Sequence, residues 1–108
     1  MSHEQHVLII PPVGLMEVVH TDEEIEPATA LTARGSTGDL VDLTLTVGLE
    51  NRGRVVWYVN HIGPMNDRAR EALAMLTGAH MIMTGHVMFL DVHPDRVYEI
   101  VAQLSRKE

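Results

Sequence analysis

From Leu40 to Glu50 apolar and polar residues alternate: Val41, Leu43, Leu45, Val47 and Leu49 point one way, and Asp42, Thr44, Thr46 and Glu50 the other. A period of two predicts a β-strand with one dry face. Asn51-Arg-Gly53 reads as a three-residue connection with the glycine that a bulged hairpin uses, so Arg54 to Ile62 is the second arm. In that arm Val55, Trp57 and Val59 share one side and Val56, Tyr58 and Asn60 the other, which makes both sides partly buried.

The remaining elements follow from local signals. His6 to Ile10 is an apolar run ended by Pro11 and Pro12, a first strand. Gly14 to Gly35 has two readings. Thr21-Asp-Glu-Glu24 has capping-box spacing for a helix, but Pro27 falls at the seventh position of that helix, and Leu15, Val18 and Val19 fit a strand equally well. Ser36 to Asp39 is a loop. After the Gly63-Pro64 break, Asn66 is a good N-cap, Ala69, Ala72, Leu73 and Leu76 form a helical stripe, and Gly78 closes the helix. His80 to Asp91 reads as a long strand rich in β-branched, aromatic and Met residues. Pro94 then opens a last helix, with Asp95 in its first turn and Val97, Ile100, Val101 and Leu104 along one face.

This order predicts one α+β domain over residues 1–108, of ferredoxin-like split β-α-β type: an antiparallel sheet with helices on one face, plus a C-terminal helix. It requires Gly14 to Gly35 to be the first crossover. If that segment is extended, the sheet gains one or two strands and keeps two helices on one face. The ferredoxin-like order puts the last strand beside the first, and the second hairpin arm on the first strand's other side. Either way, the face without helices meets water, a partner subunit or a ligand.

Parity assigns Met81, Met83, Val87 and Phe89 to the helix side, and Asp42, Thr44, Thr46, Tyr58, Asn60, His80, Ile82, Thr84, His86, Met88 and Leu90 to the open face. That mixture is too apolar for water and too polar for plain core. A homodimer packed face to face, as a dimeric α/β barrel enclosing a small pocket, is the expected assembly.

The expected function is binding of a small organic ligand on this face, with isomerase, oxygenase or decarboxylase chemistry as the catalytic form of that reading. His86 is the candidate general base or acid, because imidazole titrates near neutrality. Asp42 would fix its tautomer, Tyr58 and Asn60 would orient a carbonyl or hydroxyl, and Thr44, Thr84 and Met88 would line the pocket. No Gly-x-Ser-x-Gly elbow is present. Gly35-Ser-Thr-Gly38 is too short for a phosphate loop and lacks the following Lys, so it reads as a turn, with an anion contact as the alternative. No cofactor is specified.

A second class is soft-metal binding by His and Met. His80 and His86 would lie ~20 Å apart along one strand, at ~3.3 Å per residue, too far to share an ion. His86, Met88 and His6 could form at most a three-ligand site. Methionine is the common gap-filler of irregular cores, so packing is the preferred reading and no metal ligand is assigned. His93 precedes an ordinary helix start, His61 caps the core at a strand end, and His3 and His6 lie exposed near the terminus.

The third class is a non-catalytic regulatory or accessory subunit, for which the acidic run Asp22-Glu-Glu-Ile-Glu26 offers a face for a basic protein partner. The formal charge of −7, from 8 Lys plus Arg against 15 Asp plus Glu, argues against nucleic acid. The absence of Cys fits a reducing compartment, and neither a leader nor a membrane-length apolar run is visible, so a cytoplasmic protein is expected.

Overall fold

A computed structural model describes residues 5–47 and 51–106. Its elements are β1 (Gln5–Ile10), β2 (Glu17–Thr21), α1 (Pro27–Ala33), β3 (Asp39–Val47), β4 (Asn51–Val59), α2 (Asp67–Thr77), β5 (Val87–Leu90) and α3 (Pro94–Ser105). The strands make one antiparallel sheet in the order β2-β1-β5-β4-β3. No helix among the described residues is long and apolar enough to cross a membrane.

Residues 14–35 hold both predicted structures in succession. After Pro11 and Pro12 the chain turns through Gly14, whose φ of 103° suits glycine, and returns as β2 with His6 opposite His20 and Ile9 opposite Glu17. Thr21 does not cap a helix. Its Oγ1 accepts the Glu23 N–H at 3.0 Å in a local turn, and α1 begins at Pro27, where the missing N–H costs nothing.

The hairpin forms with Val41 opposite Trp57 and Val47 opposite Asn51. Asn51-Arg-Gly53 is not the connection but the start of β4; the link, residues 48–50, lies outside the described residues. Gly53 serves close packing instead: a Cβ there would stand 3.0 Å from Val92 Cγ2. Helix α2 starts and stops as expected, with Asn66 Oδ1 accepting the Ala69 N–H and Gly78 left-handed at φ 78°. His93 does more than precede α3, since its Nδ1 accepts the Asp95 N–H at 3.2 Å as the N-cap.

The long strand from His80 contracts to four residues. Gly85 takes φ 63°, which a strand does not allow, and its N–H donates to Pro64 O at 2.9 Å. Residues 80–86 are therefore tied to the β4–α2 loop, with a single bridge from Thr84 to Met65. Met83 still reaches the core and is buried, while His80 is exposed.

Strand order departs from the ferredoxin-like arrangement. There β1 would lie between β5 and β4. Here β2 folds back on β1 and occupies its outer edge, so β4 pairs with β5 instead. The predicted antiparallel neighbours β1 and β5 do meet, with Ile9 opposite Met88.

Helices α2 and α3 cover one face, where Ala72, Leu73, Val97 and Ile100 pack with Leu8, Ile10, Val55, Trp57, Val87 and Phe89. Helix α1 lies on the other, placing Leu31 with Val7, Ile9, Val56, Met88 and Leu90. The sheet is thus covered on both faces at its centre, and all four residues of β5 are buried. The expectation of helices on one face only is corrected. Helix α1 supplies apolar cover at the centre of the face expected to be open, while Asp42, Thr44 and Thr46 on β3 are exposed.

Candidate functional site

At the end of the sheet where β1 and β4 finish and β5 begins, four segments enclose a pocket of about 240 Å³. The end of α1 and the following turn contribute Arg34, Gly35, Ser36 and Thr37; β4 contributes Tyr58 and Asn60; Gly63-Pro64 and Gly85-His86 close the remaining sides, with Pro12 at the mouth.

His86, Tyr58 and Asn60 all line this pocket. The His86 backbone N–H donates to the buried Ser36 Oγ at 3.3 Å, which ties the backbone at His86 to the turn after α1, 50 residues away in the chain. Tyr58 Oη and Thr32 Oγ1 lie 3.2 Å apart. Asn60 Oδ1 accepts the Ile62 N–H at 3.1 Å, and its Nδ2 donates to Thr37 Oγ1 at 3.5 Å.

Three of the other expected site residues do not reach the pocket, and one supports it from behind. Asp42 forms an ion pair with Arg54, whose Nε donates to Asp42 Oδ1 at 3.2 Å and whose Nη2 donates to Oδ2. That bond holds the guanidinium pKa above its ordinary value. Asp42 therefore does not orient His86. It lines a separate cavity of about 390 Å³ shared with Glu24, Glu26 and Arg54. Thr44 pairs with Arg54 in the ladder, ~13 Å along β3 from Leu40, the residue opposite Tyr58. Met88 is fully buried between Ile9 and Val56 and belongs to the core. Thr84 holds the strand end behind the pocket, its hydroxyl donating to Tyr58 O at 2.8 Å and accepting from Asn60 N at 3.0 Å.

The soft-metal site does not assemble. His6 lies on the α3 face, T-shaped against His20 at 4.1 Å, whereas His86 lines the pocket at the α1 side. His6 is half-buried, not a solvated terminal residue, and His61, expected to cap the core, is exposed. Among the described residues no three His, Cys, Asp or Glu side chains gather where they could hold a metal ion.

Arg34 and Ser36 were not expected at the site. Arg34 Nε donates to Glu17 Oε2 at 3.0 Å and its Nη1 to Ala30 O at 2.9 Å. Burial of the His86 ring, and next the charge of Arg34, push the His86 pKa below the ordinary value, with Glu17 opposing. The site thus presents a neutral imidazole beside an arginine at neutral pH. Asn66 supports it from below: buried, it donates to Ile10 O at 2.7 Å and Gly85 O at 2.8 Å, joining the ends of β1 and the β5 approach. Comparison with protein families, curated proteins and solved structures finds no match.

Proposed function

We propose that this chain binds a small organic molecule in the pocket of His86, Tyr58, Asn60, Ser36 and Arg34. The observation that supports this reading is convergence: groups from three stretches far apart in sequence, residues 34–37, 58–64 and 85–86, meet at one concave site bearing both donors and acceptors. At ~30 Å³ per water-sized group, about 240 Å³ admits roughly eight such groups, the size of a metabolite head.

Binding is favoured over turnover. A general base of the His type is normally oriented by a third group, and Asp42, the carboxylate assigned to that role, is committed to Arg54. Neutral His86 serves as a hydrogen-bond acceptor or donor for the ligand.

The test is a fragment screen read by NMR on the imidazole of His86, with thermal shift alongside. Binding should move the His86 resonances, and His86→Ala should abolish it while barely altering the melting temperature; Thr44→Ala should bind as the parent does. Binding undisturbed by His86→Ala and Tyr58→Phe would end the proposal.

A further inference from the structure

The five most exposed large apolar side chains among the described residues lie on the three loops at the pocket's end of the sheet. Val13 is 86%, Leu15 89%, Ile62 95%, Met65 55% and Ile82 68% exposed. Their positions are tied to the pocket by the chain itself: Val13 follows Pro12, Ile62 and Met65 flank Gly63-Pro64, and Ile82 lies three residues before Gly85. The β1–β2, β4–α2 and α2–β5 loops thus each carry bulky apolar groups at one end of the sheet. Scattered exposed apolar residues need no explanation, but a group gathered around a concave site marks a surface that is covered in use.

The charge and donors of the pocket select what covers it. The chain has 15 acidic residues against 8 Lys plus Arg, yet the lining includes Arg34 and no carboxylate. Two of the Arg34 nitrogens are committed, to Glu17 and Ala30, and Nη2 makes no hydrogen bond among the described residues. Glu17 pairs with Arg34 from outside the lining, so the choice rests on donors: Arg34 Nη2 and the Ser36, Tyr58 and Asn60 groups can donate to a carboxylate, and an ammonium cannot accept from them.

We infer that the ligand is an amphipathic monocarboxylate, its carboxylate held in the pocket beside Arg34 and its hydrocarbon part lying across Val13, Ile62 and Ile82. This rests on the binding reading above and names its ligand class. A methylene fully buried is worth about 4-fold in Kd; one lying on an open rim, with half that free energy, is worth about 2-fold.

The experiment is calorimetric titration of the full chain with butyrate, hexanoate and octanoate, with octanol and octylamine as head-group controls. Affinity should rise about 2-fold per methylene, and octanoate should exceed octylamine at least 10-fold. Ile62→Ser should flatten the chain-length series without altering butyrate binding. Arg34→Gln should erase the preference for octanoate over octanol, and Arg34→Lys should restore part of it. Because the head-group panel is run on the unaltered chain, the inference is decided even where an Arg34 variant does not fold. Binding that needs His86 but is indifferent to tail length or to head charge overturns this inference and leaves the pocket reading standing. No binding by any probe, together with a fragment screen that leaves His86 unmoved, overturns both. Co-sedimentation with neutral phosphatidylcholine vesicles through Ile62, without binding of free octanoate, also overturns it and assigns the rim to a lipid surface.

Discussion

Ser36 and His86, 50 residues apart, meet through one hydrogen bond: the His86 N–H donates to Ser36 Oγ at 3.3 Å. Ser36 is buried, and Gly85, the residue before His86, is packed so closely that an added Cβ would stand 3.3 Å from the same oxygen. The turn after α1 and the approach to β5 are therefore locked to each other on the pocket wall. Removing the acceptor leaves a half-buried N–H without its bond, which costs about 1 kcal/mol. Ser36→Ala should lower the urea midpoint accordingly and weaken ligand binding through a displaced His86; unchanged exchange protection of the His86 amide would show that the bond is not formed.

The displaced titration of His86 has a direct signature in stability. Burial first and Arg34 second depress its pKa in the folded chain below the ordinary ~6.5. Above ~6.5 the ring is neutral in both folded and unfolded chains and stability is at its full value. As pH falls below ~6.5 the unfolded chain takes up the proton first, so stability declines until the folded ring is protonated too. Between pH 7.5 and 5.5 the parent should lose more stability than His86→Gln, measured as the difference in urea midpoints, and NMR titration should place the His86 midpoint below the ordinary ~6.5.

Asn66 should be the most costly polar residue to remove. Its side chain donates to Ile10 O and Gly85 O and accepts from Ala69 N, so it caps α2 and joins two segments of the pocket floor. Asn66→Ala loses a cap, worth ~1 kcal/mol, and strands buried carbonyls, so about 3 kcal/mol in total is expected. Asn66→Asp keeps the cap but reverses the two donor bonds into repulsions, and should be no milder. Chemical denaturation of both variants checks this.

Two glycines separate strain from crowding. Gly14 and Gly38 both have positive φ, 103° and 131°, but a Cβ at Gly14 meets nothing within 4 Å, whereas at Gly38 it would stand against Val59 O, far inside contact distance. Gly14→Ala should cost about 1 kcal/mol, from backbone strain alone. Gly38→Ala must move the end of β4 as well and should cost at least about twice that, with altered amide shifts at Tyr58 and Asn60.

Local signals in the sequence carried the hairpin, the Asn66 and Gly78 ends of α2 and the Pro94 start of α3, because each is decided within a few residues. Alternation put His86, Tyr58 and Asn60 on one face, but His86 and Asn60 lie just beyond the ends of β5 and β4, and the direct pairing of those strands that brings them close was not expected. Strand β2 was legible only as one of two readings of residues 14–35, because Glu17 to Thr21 is a five-residue edge strand held by β1 beside it. The same tertiary dependence hid Arg34 and Ser36, which approach His86 only after α1 has crossed to the other face. Asp42 could not be withdrawn from the site by the sequence, since a turn at Asn51-Arg-Gly53 would set Arg54 opposite Glu50; only the observed register, with Thr44 opposite Arg54, makes Asp42 and Arg54 diagonal neighbours of opposite charge. Gly85 was the overlooked signal against a long final strand.

Strand β5 is four residues long, yet among the described residues it is the one strand that joins the N-terminal pair of strands to the β3–β4 pair, through Leu8 to Phe89, Ile9 to Met88 and Ile10 to Val87 on one side and Val55 to Phe89 on the other. During synthesis the N-terminal half can form two separate ribbons but no continuous sheet. Closure waits until Val87 to Leu90 have been made and have left the ribosome. A nascent chain stalled before Val87 would carry the unpaired edges of both ribbons, the state in which this protein is most open to aggregation or chaperone capture.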